Sequence, residues 1–431
     1  MFLWGGIFNR SVKSVDFQQK VVDEIENHKD ELLSLCSSLL QMNTENPPGD
    51  TREISDFIIR YLSSFGIETE VHESNSNMFN LISSIGEGMD DKHLILCGHT
   101  DVVPVGDIEK WDFPPFSGHI EDGYIHGRGA SDMKCGLAGL IFTMGFFKKL
   151  NIPLNGKLSL LVVPDEETGG EYGVPWVLDR RLVHGSAAII AEPSHPQHPT
   201  IGQKGSCWFE VEIEGTPGHG SLSPVIGDSA ILKAVKAVEV LQKIWNFEVE
   251  IPDEMKEIIA ITKGYIRERE DTDTSDVLDH ITVNIGTIQG GTKANVIADR
   301  CVIQVDTRLP FGVSNKEMIP KVKKLLTDAG IEAKVHPIGF QSSANWTPPT
   351  DEIVFSLVES IKEVSKKDAY GVLQWASSDA RHFRDHDIPV LQYGPADLPT
   401  IHAYNERAPI DQVIQAAKVY ALTSLKYLGV K

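Results

Sequence analysis

The stretch LILCGHTDVVP, residues 94 to 104, runs apolar and then places His99 and Asp101 where a strand should end. Side chains alternate along a strand, so the two emerge on one side, close enough for the carboxylate to accept a proton from the imidazole. An imidazole held in this way offers its other nitrogen as a metal ligand or a general base. Further acids close other apolar runs: Glu166 and Glu167 in VVPDEETGG, and Glu192 in AEPS. Asp132 in GRGASDMKCG and His402 in PTIHAYNERAP stand on loops. Taken singly, each has an ordinary structural reading: a satisfied histidine, a solvated acidic loop, a helix N-cap before Met133, a surface histidine. Gathered at one sheet edge, the carboxylates would repel one another strongly unless cations neutralised them.

The elements that must carry these residues are legible in the apolar pattern. Ile54, Phe57, Ile58, Tyr61, Leu62 and Phe65 fall at helical spacing before Gly66, which predicts an amphipathic helix with a glycine C-cap. The runs NLISSI, HLILCG, KLSLLVVP, AAIIAEP and, far downstream, PVLQYGP read as buried strands. Between the second and third lies KCGLAGLIFTMGFFKKL, with Leu137, Leu140, Ile141 and Met144 on one helical face. Alternating strands and helices predict an α/β domain whose sheet is mostly parallel with helices on both faces. Ligands in such sheets gather at the carboxyl ends of strands. From residue 205 to 339 the order becomes β-α-β-β-α-β with alternating strands, an α+β domain inserted in the first. The expected boundaries are 15–204 with 340–431 for the larger domain and 205–339 for the insert. Inside the insert, residues 252–276 are helical in pattern and then strongly charged (IREREDTDTSD), which reads as a solvated excursion.

Composition narrows the class. A chain of 431 residues has material for two or three domains. Its formal charge of −21 argues against a nucleic-acid surface, because phosphate contacts need clustered Lys and Arg, and suits cations. Cys36, Cys97, Cys135, Cys207 and Cys301 are odd in number and lack any Cys-x-x-Cys, as expected of reduced, buried thiols in a cytosol. The opening MFLWGGIFNRSVKS has its basic residues after a short apolar start, the wrong order for a secretory signal, and reads as a loose terminus. No apolar run approaches the roughly 20 residues that span a bilayer. The expectation is a cytoplasmic protein with no membrane and no nucleic-acid partner.

The motifs GHTDVVP, GRGASDMKCG, DEETGG, AEPS, GTPGHGS, GGTKANVIAD and IHAYNERAP, in that order, make the chain closely resemble the M20 metallopeptidases and amidohydrolases. That group includes acetylornithine deacetylase, succinyl-diaminopimelate desuccinylase, aminoacylase and the glutamate carboxypeptidases, and the resemblance runs from roughly Phe17 to the end. It implies that His99 and Glu192 hold one divalent ion, that Glu167 and His402 hold the other, that Asp132 bridges both, and that Asp101 orients His99. Two such ions, about 3.5–4 Å apart, activate a water and polarise a scissile carbonyl, so no nucleophilic side chain is needed. Nitrogen and oxygen donors suit zinc, with cobalt or manganese as substitutes. Glu166 is left as general base.

The resemblance further implies that His219 reaches across a homodimer interface, made by the inserted lid domain, to stabilise an oxyanion. Asn295 would contact substrate and Arg381 in SSDARHF would bind a substrate carboxylate. A plain turn asparagine and a structural salt bridge are their alternatives. The implied function is dinuclear hydrolysis of the amide in N-acyl amino acids, of the deacetylase and desuccinylase type. A carboxypeptidase or dipeptidase acting on short peptides is the second reading, and a non-catalytic dimeric binding protein the third. Intact Glu166 and five ligands argue against the third.

Overall fold

The computed structural model describes residues 12–86, 92–269 and 272–430. The terminus read as loose lies, as far as Ser11, outside the described residues. The chain divides into two compact units, one of residues 1–201, 347–371 and 382–431, the other of 202–346 and 372–381.

In the first unit the strands stand in the order Thr69–Asn75, Met78–Ile85, Lys157–Val163, His93–His99, Ala187–Ile190 and Val390–Gln392. The last four run parallel to one another, and the two outer strands before them pair antiparallel. Leu94, Ile95, Leu96 and Cys97 are all buried, both alternating faces being covered, which is why that stretch reads as continuous apolar sequence. Helix Arg52–Ser64 buries Ile54, Ile58 and Leu62 and is followed by Gly66 at φ +71°, where a side chain would be strained.

Helix Cys135–Lys149 differs from the one-faced helix predicted for it, because every residue from Cys135 to Phe147 is buried. It is a central helix, packed against the long Ile410–Leu428 helix as well as the sheet. At its start, Gly136 lets the helix press on the end of a strand: a Cβ there would lie 2.4 Å from the Ala191 carbonyl oxygen. Asp132 is no N-cap, since the residue before the helix is Lys134 and Asp132 sits in an irregular turn at φ −123°, ψ 92°. A small sheet of Arg407–Pro409, Tyr124–His126 and His119–Glu121 was not read from the sequence, each strand being three residues long.

The second unit carries the antiparallel sheet Thr282–Gly290, Arg300–Leu309, Gly205–Glu214, Lys334–Ser342 in that spatial order, with helices Ala230–Leu241 and Asn315–Asp328. Phe209, Val211, Ile303 and Val305 share one core with Ala234, Leu241, Val322 and Leu326. The helical pattern within 252–276 is realised as a helix and the acids Asp273 and Asp276 of the charged run after it are exposed, but the helix itself is a packed element. Helix Asp253–Arg269 buries Met255, Ile258, Ile259, Thr262 and Ile266, and it packs on the Val372–Gln374 strand. The Thr262 hydroxyl accepts the Leu373 N–H at 3.1 Å, which draws 372–381 into this unit rather than into the segment where the sequence reading put it. The charged run folds back on the helix: Lys263 pairs with Asp276 and Asp279, and Arg267 with Asp273. Among the described residues no helix is long and apolar enough to cross a membrane.

Candidate active site

His99, Asp132, Glu166, Glu167, Glu192 and His402 all belong to the first unit. The His93–His99 strand delivers His99, 1% exposed, at its carboxyl end. The neighbouring Lys157–Val163 strand runs on into the turn of Glu166 and Glu167, and Ala187–Ile190 into Glu192. Parallel pairing of these strands therefore places acids from three crossovers at one edge.

Asp132 lies at the middle of the cluster. One carboxylate oxygen is 3.2 Å from His99 Nε2 and the other 3.3 Å from His402 Nε2. Glu192 Oε1 is 3.8 Å from His99 Nε2, and Glu167 Oε2 is 3.2 Å from His402 Nε2. Ligand atoms of His99, Asp132 and Glu167 come within 4.8 Å of one another, as do those of His99, Glu166 and Glu192.

His99 is oriented a little differently from expectation. The strand ends at His99, so Asp101 lies beyond it, and the nearest acceptor of the Nδ1 proton is the Asp101 main-chain carbonyl at 3.0 Å, with Asp101 Oδ1 at 3.4 Å. The Asp101 carboxylate mainly secures the acidic turn, accepting the main-chain N–H groups of Glu166 and Glu167, each at 3.1 Å, and Asn46 Nδ2 at 2.9 Å. Asn46 also donates to Asp165, whose other oxygen accepts the Tyr172 N–H.

The cluster is electrostatically loaded. The carboxylates of Asp132 and Glu167 beside His402 hold its imidazole up at about 10. Burial works to lower the His99 value, but Asp101, Asp132 and Glu192 outweigh it and keep the ring well above its ordinary range. Burial, with the charge of Asp132, pushes the Glu167 carboxyl up to about 7. Burial likewise acts to raise Asp132, but its pairs with His402 and His99 bring it below the usual carboxylate range. Glu167 Oε1 is buried with no hydrogen-bond partner among the described residues, a costly state that a cation relieves. Nitrogen and carboxylate donors, an orphaned buried oxygen and protons held where positive charge is needed all fit divalent ions, whose binding would release those protons.

In the second unit, His219 and Asn295 are neighbours. Gly220 N–H donates to the Asn295 carbonyl at 2.9 Å, and both side chains are exposed. The His219 ring pairs with the Ser221 hydroxyl at 2.7 Å. Arg381 is buried, and its Nη1 donates to the Ser378 carbonyl at 2.7 Å. All five cysteines are buried and none is in a disulfide among the described residues.

Two supporting residues were not singled out in the sequence. Asn46 is buried in TENPPGD, and Glu406, 0% exposed, accepts the main-chain N–H groups of Gly129, Ser131 and Asp132 and the Arg128 guanidinium. Glu406 stands inside a quoted motif, but a lone glutamate four residues after a histidine carries no periodicity that would mark it.

The model of peptidase family M20/M25/M40 matches residues 95–426. Among curated proteins, the chain is 26% identical over 416 residues to an N-formyl-4-amino-5-aminomethyl-2-methylpyrimidine deformylase of Bacillus subtilis, covering 92% of this chain and 94% of that one. It is 26% identical over 405 residues to a succinyl-diaminopimelate desuccinylase of Nitrosomonas eutropha, covering 92% and 98%. Among solved structures, an M20 family metallo-carboxypeptidase from Sulfolobus solfataricus superposes with a TM-score of 0.77 at 20% identity, over 92% of this chain and 99% of that one. Human carnosine dipeptidase 1 superposes with a TM-score of 0.75 at 17% identity, over 96% and 99%. The two superpositions are a likeness of fold.

Proposed function

The chain belongs to peptidase family M20/M25/M40 and is a metal-dependent hydrolase of amide bonds, and on that footing we propose that it removes the acyl group from N-acyl amino acids. The observation that carries the reading is Asp132, whose two oxygens face His99 on one side and His402 on the other. His99 and Glu192 would hold one ion, Glu167 and His402 the other, and Asp132 would contribute to both. The donor set favours zinc, with cobalt or manganese able to substitute. When bound, the ions supply Lewis acidity to the scissile carbonyl and lower the pKa of a water. Glu166, at the edge of the same cluster, accepts the proton of the attacking water and passes it to the departing amine nitrogen. Asp101 holds both the His99 ring and the turn that presents Glu166.

Deacylation is preferred to peptide hydrolysis because the two curated relatives above are a deformylase and a desuccinylase by name. The carboxypeptidase and dipeptidase reading stands second. The inserted unit serves as lid and dimerisation domain. Leu232 and Val235 on helix Ala230–Leu241, and Ile288 on the outermost strand of the sheet, are 59%, 49% and 49% exposed, an apolar face suited to a second copy of this chain. His219 of the partner subunit would then donate to the oxyanion, and Asn295 and Arg381 would contact substrate. The protein acts in the cytosol, where its thiols stay reduced.

The test is amine release from a panel of N-formyl, N-acetyl and N-succinyl amino acids beside dipeptides, with zinc-loaded and chelated protein. Metal-dependent release from the acyl amino acids is expected. Cleavage of dipeptides alone would replace the proposal with the second reading.

A further inference from the structure

The turn that carries Asp132 is irregular, yet Asp132 must point one oxygen at each of two histidines. Something has to hold its backbone. The Glu406 carboxylate does so from both sides: Oε1 accepts the N–H groups of Ser131 at 3.0 Å and Asp132 at 3.1 Å. Oε2 accepts Gly129 N–H at 3.1 Å and Arg128 Nη1 at 2.5 Å. The same segment is stitched to the turn by its main chain, with Gly127 N–H donating to the Glu406 carbonyl and the Ser131 hydroxyl to the Arg407 carbonyl at 2.7 Å. Four residues before Glu406 comes His402, whose own backbone is left-handed at φ +59°.

We propose that Glu406 is the positioning residue of this centre: it fixes Asp132 relative to His402 and so sets both ion positions at once. The proposal rests on the reading that Asp132 serves two ions. Only a carboxylate can fill the role, because every group facing Glu406 in these contacts is a donor. A glutamine would turn an NH2 group toward two of them, and the Asp132 backbone would have to move. Loss of a group supporting a metal ligand typically costs on the order of 10–100-fold in metal affinity. Since Asp132 is shared, that loss should fall on both ions together.

The experiment is Co2+ titration of the full-length chain, followed by visible absorption, for the parent, Glu406→Gln and Glu406→Asp. Circular dichroism and thermal unfolding run alongside as a check of fold. The parent should take up two ions. Glu406→Gln should bind both about 10–100-fold more weakly with altered ligand-field bands, and its kcat should fall while KM stays near the parent's. Glu406→Asp keeps the charge and should recover part of the affinity. Parent-like affinity and spectrum in a folded Glu406→Gln would overturn the proposal. If that variant does not fold, parent-like binding by Glu406→Asp overturns it instead. A parent that fails to bind a pair of ions, or an Asp132→Ala variant that binds them unchanged, would refute the dinuclear reading itself and is distinguishable from either result.

Discussion

Glu166 is tied to Asp101 through its main chain, the Glu166 N–H donating to Asp101 Oδ1 at 3.1 Å, so the proposed base hangs from the carboxylate that also flanks His99. The turn is thus held through the main chain of Glu166, which a change of its side chain to glutamine retains. Glu166→Gln is expected to keep the fold and both ions while kcat falls by about 10² to 10⁴, the usual contribution of a general base. Metal analysis beside steady-state kinetics checks this. Activity within a few-fold of the parent would place the base elsewhere, and lost metal would make Glu166 a ligand.

Asp132→Ala should lose activity and metal together. The Asp132 carboxylate meets His99 with one oxygen and His402 with the other, and alanine removes both contacts at once. Elemental analysis of the purified variant should find well below two equivalents; two retained equivalents would sink the bridging assignment.

If His219 acts across a dimer, mixing inactive Glu166→Gln and inactive His219→Ala subunits restores turnover, because one site of the heterodimer then has both residues. Tagged heterodimers separated from the mixture provide the measurement. Inactive heterodimers would assign His219 to its own chain or to no catalytic part.

A substrate with a free α-carboxylate should be preferred, and amidating that group should lower kcat/KM by about 10² or more, as for one charged hydrogen-bonded contact. Arg381→Lys should show most of the same loss on the acid and almost none on the amide, since an ammonium cannot reproduce the guanidinium fork. Equal loss on both substrates would make Arg381 a structural residue of its own loop rather than a substrate contact. The comparison matters because the deformylase relative acts, by its name, on a formylated aminomethylpyrimidine.

Acid should loosen the sheet at His93. Burial, with the charges of Lys157 and His184 nearby, lowers its pKa from 6.5 to about 4, while its ring bonds the Ser159 hydroxyl at 2.7 Å. The folded chain keeps this ring neutral where the unfolded chain protonates it, so its contribution is complete above about pH 6.5 and is lost as pH falls toward 4. Discounted for partial exposure, the effect is about 1–2 kcal/mol. Thermal unfolding from pH 7 to 4 should therefore fall less steeply in His93→Gln than in the parent; parallel curves would show that His93 contributes nothing to the acid sensitivity.

The sequence was most informative where chemistry and periodicity coincide. His99, Glu166, Glu167 and Glu192 close buried strands, so apolar runs pointed to them before any geometry was known. Asp132 and His402 sit on turns without a period and were reached through the motif set. Glu406 and Asn46 were missed because their work is done through main-chain N–H groups of residues remote in sequence. Helix Asp253–Arg269 is legible as a helix but its packing is not, because its buried side faces a strand more than a hundred residues later and its exposed charges dominate the local pattern.

The three-residue strands Arg407–Pro409 and Tyr124–His126 join parts of the chain that are synthesised far apart in time. Until the later one docks, Asp132 lacks the anchor of Glu406 and the neighbour His402, and the inserted unit has by then already been made. Contacts of such high sequence separation carry the entropy cost of closing a long loop. A chain in which Arg407–Pro409 is not paired with Tyr124–His126 therefore lacks two of the groups that meet Asp132, whatever the state of the rest of the fold.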